Sequence, residues 1–153
     1  MPATMATAEV AAPSPPAQTM TTLWIYRVVS VLHALLMVAQ PILIGRFLEG
    51  DFGSLSAHAA VGGIAMLSAT LLLVAGVLVW RPGRLGLQPL IWSAAMFVLI
   101  PAQLAMGYTR TTSVHIPLGV AIVAGSVALV VWACRPGRAR MSWRPRTPVE
   151  PVR

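Results

Sequence analysis

The chain has 153 residues, 57% of them hydrophobic and only 10% charged, with a mean hydropathy of +0.77. A soluble domain carries roughly a quarter charged residues, so the composition excludes the ordinary soluble classes and points to a protein of the lipid bilayer. The net charge of +7 comes from arginine alone, and Arg135, Arg138, Arg140, Arg144, Arg146 and Arg153 lie in a short tail after the last apolar run. A basic tail beside a membrane segment marks the cytoplasmic side and attracts anionic lipid, so no nucleic-acid partner is inferred.

Residues 1–20 are rich in Ala, Pro and Thr and show no period. They cannot bury enough apolar surface to offset ordering entropy, and they read as a disordered cytoplasmic N-terminal tail. They lack the basic start of a signal peptide and carry Glu9 and four prolines. The transmembrane domain is expected over 21–135, followed by a basic cytoplasmic C-terminal tail over 136–153.

The first span is expected at about 23–48, with Arg27, His33 and Arg46 as its titratable members. The turn-forming stretch Glu49-Gly50-Asp51-Phe52-Gly53-Ser54 leads to a second span at about 55–80, which has no formal charge. Arg81-Pro82-Gly83-Arg84 stops it. The third span is expected at about 87–108. The short stretch from Thr109 to Ser113 leads to the fourth, at about 114–134, which Arg135-Pro136-Gly137-Arg138 ends. Each span has about the 20 apolar residues that cross a ~30 Å hydrocarbon layer. Only a helix satisfies its own backbone there, and the runs lack the alternation of a barrel. The predicted fold is therefore all-α, an integral membrane four-helix bundle. Arginine counts on the loops put both termini in the cytoplasm, and Trp24, Trp80 and Trp132 then fall at the inner interface. The expected location is the plasma (inner) membrane of a bacterium. The absence of Lys and Asn, both with AT-rich codons, reads as a GC-rich genome.

The two halves repeat. The first reads Gln40, Gly45-Arg46, a loop, His58-Ala-Ala-Val-Gly62, an apolar run and Arg81-Pro82-Gly83-Arg84. The second reads Gln103, Gly107, Arg110, a loop, His115-Ile-Pro-Leu-Gly119, an apolar run and Arg135-Pro136-Gly137-Arg138. Two tandem helical hairpins in the same orientation would be related by an axis along the membrane normal.

The repeat places His58 and His115 about one turn below the outer surface, roughly 5 Å, and Gln40 and Gln103 roughly 10 Å deep. Polar groups at membrane depth face the bundle interior and call for a function. Imidazoles are the axial ligands of b-type haem, and two from different helices bracket one iron. In this reading His58 and His115 hold haem b for electron transfer. Gly62 and Gly119, on the same helical faces as the histidines, leave room for the porphyrin. Arg46 and Arg110 pair with its propionates, and Gln40 and Gln103 complete the layer. The alternative is a non-catalytic structural or accessory subunit, in which HxxxG and the glutamines serve close helix packing and interhelical hydrogen bonds. In that reading Pro41, Pro101 and Pro117 kink or start helices. A third reading, a small transporter or channel, needs more polar character in the inner half, where His33 is the sole candidate. His33 has no histidine partner, since Met96 takes the matching place, and is read as a structural hydrogen bond.

No P-loop, dinucleotide fingerprint, HExxH or hydrolase elbow is present, so the chain leans away from an enzyme. Cys134 has no partner for an internal disulfide and reads as a small interfacial hydrophobe. The bilayer is the main partner, with a membrane redox partner or self-association as protein partners.

The segments QPILIGRFLEGDFGSLSAHAAVGG, QLAMGYTR and VHIPLGVA resemble a group of small four-helix membrane proteins of high-GC bacteria, classed as a domain of unknown function. The resemblance covers about 22–135. It implies the same four-span fold and no activity. More distantly, histidines on a four-helix membrane bundle are similar to cytochrome b-type proteins. Dihaem members of that class need four histidines in two layers, and this chain has three.

Overall fold

The fold, taken from a computed structural model, is described for residues 15–137. Four helices account for nearly all of it: α1 (Ala17–Leu48), α2 (Gly53–Trp80), α3 (Gln88–Tyr108) and α4 (Thr112–Cys134). All four are long and apolar enough to cross a bilayer. Large apolar side chains such as Leu35, Ile64, Val98 and Val120 are more than half exposed on the outside of the bundle. In water that surface would be prohibitive; in hydrocarbon it is the natural solvent contact. The protein is an integral, multi-pass membrane protein.

The helices start and stop for local reasons. α1 begins after Pro16, whose carbonyl accepts from the Thr19 and Met20 amides. Residues 17–20, expected in the tail, are therefore helical, and α1 starts at Ala17 rather than at the expected Leu23. At 1.5 Å per residue this helix is about 48 Å long, so it projects beyond the hydrocarbon layer. There water and headgroups tolerate the polar Gln-Thr-Met-Thr-Thr stretch that a hydropathy reading sets aside. The expected disorder of residues 1–14 and the basic tail from Arg138 onward lie outside the described residues. α2 ends where the Gly83 amide reaches back to the Leu78 carbonyl and the Leu85 amide to that of Val79. Gly83 is buried against Thr22 and Val79, with no room for a side chain. Pro89 occupies the first turn of α3, where its missing N–H costs nothing.

α1 packs on α2 and α4, and α3 packs on the same two helices, which makes a square with α1 and α3 on one diagonal. The buried residues carry the repeat into three dimensions. Those of α3 are Pro89, Ser93, Met96 and Ile100, and each answers a buried residue of α1 in the same order: Tyr26, Ser30, His33 and Met37. Those of α4 are Ile122, Ser126, Leu129 and Ala133, answering Ala65, Ala69, Leu72 and Gly76 of α2. Gln103 answers Gln40 in the first register, and His115 and Gly119 answer His58 and Gly62 in the second. Even a local hydrogen bond recurs. Ser30 Oγ donates to the Tyr26 carbonyl at 2.6 Å, and Ser93 Oγ lies 2.7 Å from the Pro89 carbonyl. The bundle is thus two copies of one hairpin, packed through equivalent faces.

Equivalent residues that touch one another mark the pseudo-twofold axis. At the end bearing the 81–87 linker, the Tyr26 hydroxyl donates to the carbonyl of Pro89, its own counterpart, at 3.1 Å. At the opposite end His58 meets His115. Around the linker end, Arg27 Nε caps the last turn of α4 through the Ala133 carbonyl at 2.8 Å. Trp132 donates to Gln88 Oε1 at 2.9 Å and stands edge-on to Tyr26.

Candidate functional site: the paired imidazoles

Two short connections, 49–52 and 109–111, close the hairpins at the end away from the linker. In the first, Arg46 and Ser54 converge on Asp51. Arg46 reaches Oδ2 through Nη2 at 2.8 Å and Nε at 3.2 Å, and Ser54 Oγ donates to the same oxygen at 2.8 Å. The Ser54 hydrogen bond, with Arg46 beside it, holds the Asp51 carboxyl below the usual carboxylate range. Gly50 turns the chain with a positive φ of 101°. In the second connection Arg110 takes the left-handed conformation, at φ 57°, and is exposed.

Below these turns, His58 on α2 and His115 on α4 are half-buried, with ring centroids 6.2 Å apart and planes at 68°. Each imidazole donates Nδ1–H to a backbone carbonyl of the other helix in its own hairpin. His58 uses that of Gln40, at 3.3 Å, and His115 that of Gln103, at 2.9 Å. A carbonyl only accepts, so Nδ1 carries a proton in both rings, and in the neutral imidazole that leaves Nε2 as the free lone pair. The four residues that the sequence placed in one layer, His58, His115, Gln40 and Gln103, therefore do come together.

The second hairpin adds a return bond. Gln103 Nε2 donates to the His115 carbonyl at 2.8 Å, while His115 bonds the Gln103 carbonyl. Glycine makes this reciprocal clasp sterically feasible. A helical carbonyl is shielded by the side chain four residues on, and here those residues are Gly107 and Gly119. A Cβ on Gly107 would lie 2.9 Å from His115 Cε1, and one on Gly119 would lie 2.8 Å from Gln103 Nε2. The space over Gly119 thus holds the Gln103 amide, and the space over Gly62 is bounded by Leu104 at 3.4 Å. The first hairpin makes only half the clasp. Ile44 stands where Gly107 stands in the second, and Gln40 Nε2 is buried with no partner. On the far side of the other amide, Gln103 Oε1 is buried and unpartnered too.

His33 sits apart, fully buried in the bundle. Its Nδ1 lies 2.8 Å from Ser68 Oγ, whose own proton goes to the Ala65 carbonyl at 2.8 Å. The expected structural hydrogen bond is thus present. Gly107 and Ser68 are the residues that sequence reading left unassigned. The signal for Gly107 was there, since Gln103-x-x-x-Gly107 mirrors His115-x-x-x-Gly119. Nothing in the sequence pairs Ser68 with His33.

No family model matches the chain, and neither a curated protein nor a solved structure does. The class rests on the fold and the site themselves: a duplicated four-helix membrane protein with paired imidazoles near one end.

Proposed function

We propose that the protein is a small membrane electron carrier in which His58 and His115 bind the iron of one b-type haem. The carrying observation is the imidazole pair on the pseudo-twofold axis, each ring fixed by a carbonyl with its Nε2 lone pair left to ligate. A metal-bound histidine ordinarily donates its other ring nitrogen in this way. The two rings come from different helices and stand 6.2 Å apart between centroids, so His58 and His115 would be the residues to hold a haem, which would supply one-electron chemistry when bound. Arg110, at the tip of its loop, is the candidate partner for a propionate, because Arg46 is engaged by Asp51. Both termini and the 81–87 linker lie in the cytoplasm in this reading, which sets the imidazoles near the outer face of the plasma membrane and the basic tail against anionic lipid.

The Gln103–His115 clasp supports a second reading, a non-catalytic accessory subunit. There the clasp is the whole purpose of the layer, and Gly119 serves the glutamine rather than a porphyrin. Reduced-minus-oxidised absorbance of the detergent-purified protein separates the two. A Soret and α-band pair, lost in His58→Ala and in His115→Ala, is the expected result. A colourless wild type from haem-supplemented cells would leave the accessory reading in its place.

A further inference from the structure

The charges of the bundle divide by end. Among the described residues the carboxylates, Glu49 and Asp51, lie in the connection at the imidazole end, whereas Arg27, Arg81, Arg84 and Arg135 lie toward the linker end. Arg27 differs from the other three in belonging to the body of a helix, and two contacts fix its depth. The hydroxyl of the adjacent Tyr26 donates to Pro89, the second residue of α3, and Arg27 Nε donates to Ala133, the last residue but one of α4. The 21 residues of α3 make about 32 Å of helix, which matches the ~30 Å hydrocarbon layer. The start of α3 and the end of α4 therefore mark the edge of the hydrocarbon, and Arg27 stands at that edge, where lipid phosphates lie.

The bond to Ala133 leaves the far edge of the guanidinium unused. Nη1 and Nη2 make no hydrogen bond or ion pair among the described residues, and neither nitrogen is buried. Such a planar fork takes two oxygens of one phosphate. Arg135 is exposed and only two residues beyond Ala133, at most about 7.6 Å between Cα atoms. Toward the membrane centre, Val31 and Leu35 follow Arg27 on the same line of α1, at i+4 and i+8, and both are exposed. Trp24, one turn before Arg27, is 64% exposed, as suits a ring at the headgroup level.

We infer that Arg27 and Arg135 form a binding site for the phosphate of an anionic phospholipid at the seam between α1 and α4. The apolar line below Arg27 receives an acyl chain, which a free phosphate lacks. The uncompensated arginines of this end favour a headgroup of net negative charge over a zwitterionic one. The site is built into the bundle, apart from the His58–His115 layer and from the diffuse attraction of the basic tail.

The test is native mass spectrometry of the full-length protein in detergent, titrated with phosphatidylglycerol, phosphatidylcholine or inorganic phosphate. One tightly held phosphatidylglycerol per chain is expected, with phosphatidylcholine about tenfold weaker and no displacement by inorganic phosphate. Arg27→Gln keeps a donor for the Ala133 carbonyl but removes the fork, and should weaken retention about tenfold or more. Arg135→Gln should weaken it about fivefold. A variant with Arg138, Arg140, Arg144 and Arg146 all replaced by Gln should hold the lipid as the wild type does. A wild type without bound lipid, equal retention of phosphatidylcholine, displacement by inorganic phosphate, or a folded Arg27→Gln that binds as the wild type does would each overturn the inference. Should Arg27→Gln not fold, undiminished binding by Arg135→Gln would overturn it instead. Loss in the tail variant alone would move the lipid to the tail and overturn it too.

Discussion

At the scale of single residues, the glycines separate backbone contact from mere smallness. Gly119→Ala drives a methyl into the Gln103 amide, which is the flexible end of a side chain and swings away at the expense of its bond to the His115 carbonyl. An interhelical hydrogen bond in a membrane is worth about 0.6–1.7 kcal/mol, and a loss of about 1 kcal/mol is expected in reversible unfolding in mixed micelles. Gly107→Ala meets the rigid His115 ring instead and should cost more, because the imidazole must leave the Gln103 carbonyl. Gly45→Ala is the matched control, with open space around its Cβ, and should be neutral or slightly stabilising. Asp51 makes a different prediction. Its carboxyl titrates below its ordinary value of 3.8 when folded. The stability it contributes is therefore complete above that value and lost as pH falls through the folded pKa. Asp51→Asn should remove this acid-limb component of the melting temperature and leave the neutral-pH value only slightly lower. These residue-level roles were partly legible in the sequence. The Gln/His/Gly order announced the layer, but Gly119 fits a porphyrin and a glutamine equally well until the distance to Gln103 is known. In sequence Arg46 reads as a propionate partner beside Arg110, and its capture by Asp51 depends on the turn at Gly50.

At the scale of helices, the spans were readable because hydropathy and length alone decide what crosses a bilayer. Their ends were less so. The polar first two turns of α1 carry no hydropathy signal, and they are helical because Pro16 starts them and because Thr19, Thr22 and Leu23 are buried at the linker end. Which face of each helix turns inward was not legible either. Apolar residues cover every side of these helices, so the sequence has no amphipathic stripe from which to read a core. The register emerges only from comparing the halves, where small and polar residues recur at buried positions: Ser30 with Ser93, Ala69 with Ser126, Gly76 with Ala133. Small residues there let helices approach closely. Gly76 is the tightest case. A Cβ would lie 2.7 Å from Ser93 Oγ and 3.3 Å from the Leu90 Cα. The backbone of α3 cannot yield as a side chain does, so Gly76→Ala should destabilise the α2–α3 contact by about 1–3 kcal/mol. Gly63→Ala, on the same helix with open space at its Cβ, should cost nothing and gain up to about 1 kcal/mol from helix propensity. Equal losses for the two would mean that the close approach to α3 does not govern this pair, since helix propensity alone favours alanine at both positions.

At the scale of the whole molecule, the duplication and the topology constrain each other. Each hairpin enters and leaves on one side, so the linker lies at the same end as the two helix termini Ala17 and Cys134, and the imidazole pair lies at the other. Sidedness then fixes which compartment that pair faces. The proposed orientation, with the linker end in the cytoplasm, rests on the arginine distribution, and the chain carries its own probe for it. Cys134 is the single cysteine, exposed at the last residue of α4. A membrane-impermeant maleimide should spare it in intact spheroplasts and label it in inverted vesicles. The variant Cys134→Ser/Glu49→Cys carries its thiol on the exposed 49–52 connection and should show the opposite pattern. Labelling of Cys134 from outside would invert the molecule. The Arg81 and Arg84 linker would then be a rare violation of the positive-inside bias, and the His58–His115 pair would face the cytoplasm rather than the outside, so that the proposed carrier would need a cytoplasmic redox partner.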